Sequence, residues 1–364
     1  MKKIIENVKF PGGNGATTFP SCFASVWMRS EGVNTEEQAK SAQLPGGKCC
    51  GRCGGNKLEV YHHSVQNWYT IVSGLTLVQL DIANEEHFNG WGINRVLAEY
   101  DDYIKFTMGF AGFLYERFDK SADKVAVFDS VKKSIDADRP ALINLGTGYY
   151  WYVVIGYDDK DGTIYGLGDN SYWKDNCGVQ KDGVLVSDQW YEHMAETVIV
   201  TGKTASTVTY DDVFRRMISI LDTMDKTGYF QRSADYLKDD AKFEGYDNEK
   251  YLGLAKRIGH FLGLPVDSRD IGCPIKMLAQ VEAFKDRAQY LKRIAAEYDH
   301  NCDVSWVAWD MVGSYKGEIE EPAKMLPYPL YRRAIANVIE VVIKNNRRVL
   351  DCLREMMGVD PSGK

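Results

Sequence analysis

The sequence predicts two folded regions of different class, an α+β domain over residues 1–202 and an all-α domain over residues 208–364. Three observations predict this. Up to about residue 200, glycine-rich turns alternate with β-branched and aromatic runs, helical patterns first and strand patterns later, which is the order of an α+β domain. From about residue 208, apolar residues recur at threes and fours nearly to the end. The charge divides as well. The net charge is −7, yet residues 201–364 hold 25 basic and 25 acidic side chains, so the acidic excess belongs wholly to the first region. A length of 364 residues suits two domains of ordinary size.

The elements follow in order. The opening Pro11-Gly12-Gly13-Asn14-Gly15 leads through Pro20 into Ser21 to Met28, whose apolar spacing predicts a buried helix with Cys22 in its first turn. A loop over 44–56, rich in Gly and Cys, precedes predicted helices near 64–80, at 92–101 and at 124–136. The run from Tyr103 to Phe118 is apolar and aromatic without a clean period, and its state stays open. Strands are expected at 141–144, 150–157 and 163–167, the last two joined by an Asp-Asp-Lys-Asp-Gly turn, with further strands at 183–187 and 196–201 completing an antiparallel sheet. The second domain reads as helices over 211–224, 249–262, 275–298, 304–315 and 330–357. In the last, Ile335, Val338, Ile339, Val342, Ile343, Val349, Leu350 and Leu353 form a core-facing stripe.

Composition excludes several classes. Hydrophobic residues at 45% and charged residues at 26% describe a folded chain. An acidic chain without a basic stripe is ill suited to nucleic acid. No apolar run spans a bilayer, and the start is too short in apolar residues for a signal peptide, so a cytoplasmic protein that does not engage membranes is expected. Eight cysteines are too few for a disulfide scaffold, and reduced thiols are the default. Cys273, Cys302 and Cys352 read as packing residues.

Cys22 is the sharpest chemical candidate. A thiol at a helix start feels the positive end of the macrodipole, which favours thiolate and lowers its pKa. The competing reading is a small buried hydrophobe among Phe23, Val26 and Trp27. A second cluster, Cys49-Cys50-Gly51-Arg52-Cys53 followed by Tyr61-His62-His63, leaves open zinc on Cys50, Cys53 and an imidazole, or a redox pair. It lacks a second ligand pair, so a glycine loop with reduced thiols is retained, with neither metal nor cofactor expected. Aromatic residues gather at Tyr149 to Tyr152, Tyr157, Tyr172 and Trp173. Alternation sets Tyr150, Tyr152 and Val154 on one sheet face, which would be either core or the wall of a cleft facing Cys22.

The strand pair 150–159 and 162–170, with its Gly156-Tyr157-Asp158-Asp159 and its Asp169-Asn170 end, resembles the bacteriocin-processing cysteine peptidases and their papain-like relatives. There a cysteine opens the first long helix, and a histidine and an orienting carboxylate sit on later adjacent strands. Over nearly the whole chain the sequence resembles the butirosin biosynthesis protein H family. The residues that carry this are Cys22, the Gly-Tyr-Asp-Asp strand, Gly253-Leu254-Ala255, the stretch from Trp306 to Tyr315 and the helical tail. The resemblance implies a papain-like first domain, Cys22 as nucleophile and Asp169 as the orienting carboxylate. It also implies a cysteine-dependent acyltransferase or hydrolase that takes an acyl group from a thioester or amide, a carrier protein's thioester included, and passes it to an amine or water.

The departures from that pattern matter. Tyr150 stands where the family has histidine, and tyrosine, with a pKa near 10, is no neutral-pH base. Ala16 stands where papain-like enzymes hold a glutamine, with Asn14 as the available substitute. Three accounts remain open. Another histidine, from His62, His63, His87 and His193, supplies the base; Cys22 attacks a thioester unaided; or the cleft, walled by Asn14, Tyr150 and Tyr152, binds a small molecule or peptide without catalysis. The helical domain would close over that cleft or mediate a homodimer.

Overall fold

The computed structural model describes residues 1–10, 18–41, 57–88, 97, 101–146, 150–168, 177–267, 269–314 and 317–360. The chain is a mixed α+β protein with an antiparallel sheet. It divides into two compact units, one of Met1–Ser73 with Asp102–Thr209, the other of Gly74–Asp101 with Tyr210–Lys364. Residues 74–101, read from the sequence as part of the first domain, group with the helical one. Local bonds explain why. Ile82 N donates to Ser233 Oγ at 2.9 Å, Asp81 pairs with Arg232 at 2.8 Å, and Glu85 pairs with Arg257 at 2.7 Å.

In the first unit, strand β1 (Lys2–Ile4) precedes helices α1 (Phe19–Ser30), α2 (Glu36–Ser41) and α3 (Lys57–Ser73). Ten consecutive residues of α1, Phe19 to Met28, are buried, as a helix inside a layered unit requires. The helix expected near 64–80 begins and ends earlier. Gly74, at φ +70°, stops α3, and the apolar run beyond it is a 3-10 turn at Leu75–Leu77. The predicted helix at 92–101 lies almost wholly outside the described residues.

The run left open from Tyr103 is helix α4 (Tyr103–Ala111) followed by strand β2 (Phe113–Asp119). Between them Gly112, at φ +67°, stands so close to Thr204 O that a Cβ would meet it at 2.5 Å. No single period fits because the chain changes from helix to strand inside one apolar run. Helix α5 (Lys124–Asp136) matches the predicted bounds, its start capped by Asp123 Oδ1, which accepts from Val125 N and Ala126 N at 3.0 Å.

Strands β3 (Ala141–Leu145), β4 (Tyr150–Asp158), β5 (Thr163–Leu167), β6 (Val179–Lys181), β7 (Val184–Ser187) and β8 (Met194–Lys203) complete the unit, with a short helix α6 (Trp190–His193) before β8. Every pairing is antiparallel, in the order β2-β8-β3-β4-β5-β7-β6, with β1 added beside the end of β4. β1 and β4 come close only because residue 156 is glycine; a Cβ there would stand 2.5 Å from Lys3 O. One face of the sheet packs on α5 through Val127, Val131, Ile143, Tyr152, Val154 and Trp190. α1 lies against β3 and β4.

The second unit is helical among its described residues. It holds α7 (Tyr210–Thr227), α8 (Tyr229–Lys238), α9 (Asn248–Val266), α10 (Arg269–Leu278), α11 (Ala288–Met311), α12 (Glu320–Ala323) and α13 (Pro329–Met357). The break expected at 299–303 is absent, and α11 runs through Asp299-His300-Asn301 because Asn301 is buried and bonded to Asn345 and Asn346, at 2.8 Å each. The stripe foreseen on α13 is buried at Ile335, Ile339, Val342, Ile343, Val349, Leu350 and Leu353. Cys302 and Cys352 are buried free thiols, whereas Cys273, read as a packing thiol, is disulfide-bonded. No helix of the described residues is long and apolar enough to cross a membrane.

Arg332 anchors the start of α13. It is 1% exposed, donates to Leu326 O at 2.7 Å and Pro327 O at 2.9 Å, pairs with Asp240, and sits 4.1 Å over the Phe243 ring. Arg332→Met keeps the stem but leaves two carbonyls without their donor, and should cost roughly 2–4 kcal/mol in urea unfolding. A loss below about 0.5 kcal/mol would show the guanidinium to be dispensable.

Candidate functional site

The site is built where the first turn of α1 meets the start of β4. Pro20 stands in the first turn, a favoured position because its missing N–H has no helical partner there. Thr18 occupies the N-cap, yet its side chain does not cap the helix. Thr18 Oγ1 accepts instead from Trp151 N at 2.7 Å. One turn on, Cys22 Sγ donates to Trp151 O at 3.1 Å. Among the described residues β5 pairs with β4 only from Val153 onward, and both backbone polar groups of Trp151 are satisfied by α1.

Cys22 is wholly buried. Phe19 lies 5.1 Å from the Trp151 ring, 5.0 Å from Tyr103 and 5.8 Å from Phe23, so the turn is walled by aromatics. The sequence predicts a lowered thiol pKa, and the structure reverses the sign: burial pushes the Cys22 thiol well above its ordinary value. Magnitudes explain it. A helix terminus offers about 0.3–1 kcal/mol to an anion, whereas stripping water from one costs several. Cys22 N is also already bonded to Thr18 O at 3.1 Å and so is no free donor.

The other predicted residues fall into three groups. Tyr150 opens β4 one residue from the Cys22 contact, half-buried and packed at the margin of the α5-side core. Tyr152, expected on a cleft wall facing Cys22, is fully buried inside that core, and the face it shares with Tyr150 is turned to α5, away from the Trp151 face on which α1 and Cys22 lie. Asn14 and Asp169 lie outside the described residues, as do Cys49, Cys50 and Cys53. Among the described residues no group of three His, Cys, Asp or Glu side chains could hold a metal.

Of the four histidines weighed as a base, His87 belongs to the helical unit. His193 ends α6, and its carbonyl accepts from Gly146 N at 2.6 Å, near the Tyr150 end of the sheet. His62 is fully buried, with Nε2 at 3.0 Å from Ser25 Oγ, which itself donates to Lys9 O at 2.6 Å. Burial, aided by the neighbouring His63, holds the His62 imidazole down to about 3. It stays neutral and holds Ser25, whose hydroxyl ties the segment after β1 to α1.

A polar row on the Trp151 side escaped sequence reading. Trp151, Asn144 and Glu196 stand opposite one another on β4, β3 and β8. Glu196 pairs with Arg117, which also holds Asp102 at 3.0 Å. Burial raises the Glu196 carboxyl despite that partner. The only signal was a lone acid inside an apolar strand.

His62 makes stability pH-dependent. Its folded pKa lies below the unfolded value of 6.5, so its contribution is whole above about pH 6.5 and drains as pH falls toward 3, because the unfolded chain takes up the proton first. Urea unfolding of the wild type should lose about 1.4 kcal/mol per pH unit more than His62→Gln across that window. Parallel profiles for the two proteins would show that His62 is not buried in its neutral form.

Compared with protein-family models and with curated proteins, the chain matches none, and the chemistry of these residues alone carries a functional reading.

Proposed function

We propose that the first unit is a papain-like module of the butirosin biosynthesis protein H type that binds a small molecule or peptide rather than transferring acyl groups. The single observation that carries this is the Cys22 thiol, sealed from solvent and spending its proton on Trp151 O. A nucleophile needs the opposite environment, exposed and electropositive. Support for the papain-like layout comes from the cysteine helix lying on the antiparallel strand that begins at position 150. The ligand meets the molecule at that sheet end, where Tyr150 offers a ring with a polar tip. Asn14 and Asp169 are assigned to the same end through the family resemblance, and Tyr152 is left to the core.

The placement of Cys22 near the start of the helix that lies on β4 favours a second reading, although Tyr150 stands on the opposite, α5-side face of that strand. In it the Cys22 thiolate attacks a carrier-protein thioester, an S-acyl bond forms on Cys22 as the carrier's thiol leaves, and an amine or water then takes the acyl group and restores the thiol. Asp169 would orient the base in that cycle, and the helical unit would serve the carrier protein or a homodimer.

Iodoacetamide labelling of the native protein, read by peptide mass mapping, separates the two. Cys22 should stay unmodified up to about pH 9 and react fully once the chain is unfolded. Labelling of Cys22 in the native protein below about pH 8 would overturn the binding reading in favour of acyl transfer.

A further inference from the structure

The polar row on the Trp151 side of the sheet contains an acceptor that nothing satisfies. Asn144 is buried, and its Oδ1 is shut off from solvent with no hydrogen-bond partner among the described residues. Water does not reach it, so only a donor already packed beside it can serve. Register narrows the choice. Residues directly opposite on antiparallel strands share a face, with Cβ atoms about 4.5–5.5 Å apart, and Asn144 stands opposite Trp151 on one side and Glu196 on the other. The Trp151 indole N–H has no partner among the described residues either, so it does not supply that hydrogen. An ionised carboxylate has no hydrogen to give, whereas a protonated one has a single O–H.

In its ionised form Glu196 has a different partner. Arg117 Nε donates to Glu196 Oε1, while Arg117 Nη1 donates to the two Asp102 oxygens at 3.1 and 3.0 Å. Asp102 Oδ1 in turn caps α4 by accepting from Lys105 N at 3.1 Å. The surroundings favour neutralising Glu196. Its side chain is only 14% exposed, and burial raises the carboxyl above its ordinary value of 4.5 in spite of Arg117. Asp119 lies directly opposite on β2, and Asp102 adds a second negative charge from the start of α4. The remaining titratable groups on this side are neutral: Tyr115 on β2, Tyr103 on α4 and the Cys22 thiol on α1. Helix α5 packs on the opposite face.

We propose that Glu196 is a proton-operated latch between β8 and its two neighbours. Ionised, it holds Arg117 of β2. On taking one proton from solvent it donates that hydrogen to Asn144 Oδ1 of β3 and releases the Arg117 Nε–H. Of its two carboxylate partners Arg117 then keeps Asp102 alone, so the edge strand β2 loses this side-chain tie to β8 while the cap of α4 stays in place.

Infrared difference spectra of the full chain, acid minus neutral, test the latch, with Glu196→Gln identifying the band. Wild type should gain a carboxylic-acid C=O band that Glu196→Gln lacks, with a midpoint above pH 4.5 and the lowered frequency of an acid that donates a hydrogen bond. Asn144→Leu should move that band to higher frequency. In wild-type NMR spectra the Arg117 Nε–H signal, identified by its absence from Arg117→Lys, should shift with the same midpoint. A Glu196 band unmoved in Asn144→Leu, a midpoint at or below 4.5, or an Arg117 signal that ignores the titration would overturn the proposal. Should Asn144→Leu fail to fold, the wild-type band frequency and the Arg117 midpoint still decide it.

Discussion

Both backbone polar groups of one residue, Trp151, are held by the first turn of a helix. Thr18 takes the N–H and Cys22 meets the carbonyl, at 2.7 and 3.1 Å. Backbone groups of an inner strand that are buried without partners cost about 1–3 kcal/mol each. Using a threonine and a cysteine of α1 to satisfy them fixes the helix on the sheet. It also fixes the Phe19, Trp151 and Tyr103 rings that close the space between.

That constraint decides the chemistry of the site. The geometry that sets Cys22 against the Trp151 carbonyl is the same geometry that strips its sulfur of water. A helix dipole does not compensate for such desolvation, so the thiol keeps its proton. His62 shows the same physics with the opposite titration sense: burial keeps it neutral, and its nitrogen serves Ser25 and the chain ahead of α1 rather than a reaction. Two residue types usually associated with catalysis thus act as fixed points of the fold.

Much of the architecture was legible because local patterns and burial agreed. α5, β3, β4, β5 and the stripe on α13 stand within a residue or two of their expected places, each having one clear period and a turn or cap at its ends. Where the reading slipped, a single residue or a tertiary bond overrode the pattern. Gly74 cut α3 short inside a continuing apolar run, Gly112 joined a helix to a strand, and the Asn301 amide partners carried α11 through a polar stretch. The short β1 and β6 carried no readable alternation over three residues. At the site, the sequence located Cys22 in a first turn and Tyr150 at a strand start. Whether the sulfur faced water depended on where Trp151 pointed its carbonyl, which no spacing within α1 encodes.

The S–H stretching band of Cys22, isolated by Raman difference against Cys22→Ala in the folded protein, reports directly on whether that sulfur carries a bonded proton. The account predicts a band of hydrogen-bonded character that persists from about pH 6 to about pH 9. A band that vanishes as pH rises through about 8, or one with the position of an unbonded thiol, would contradict it.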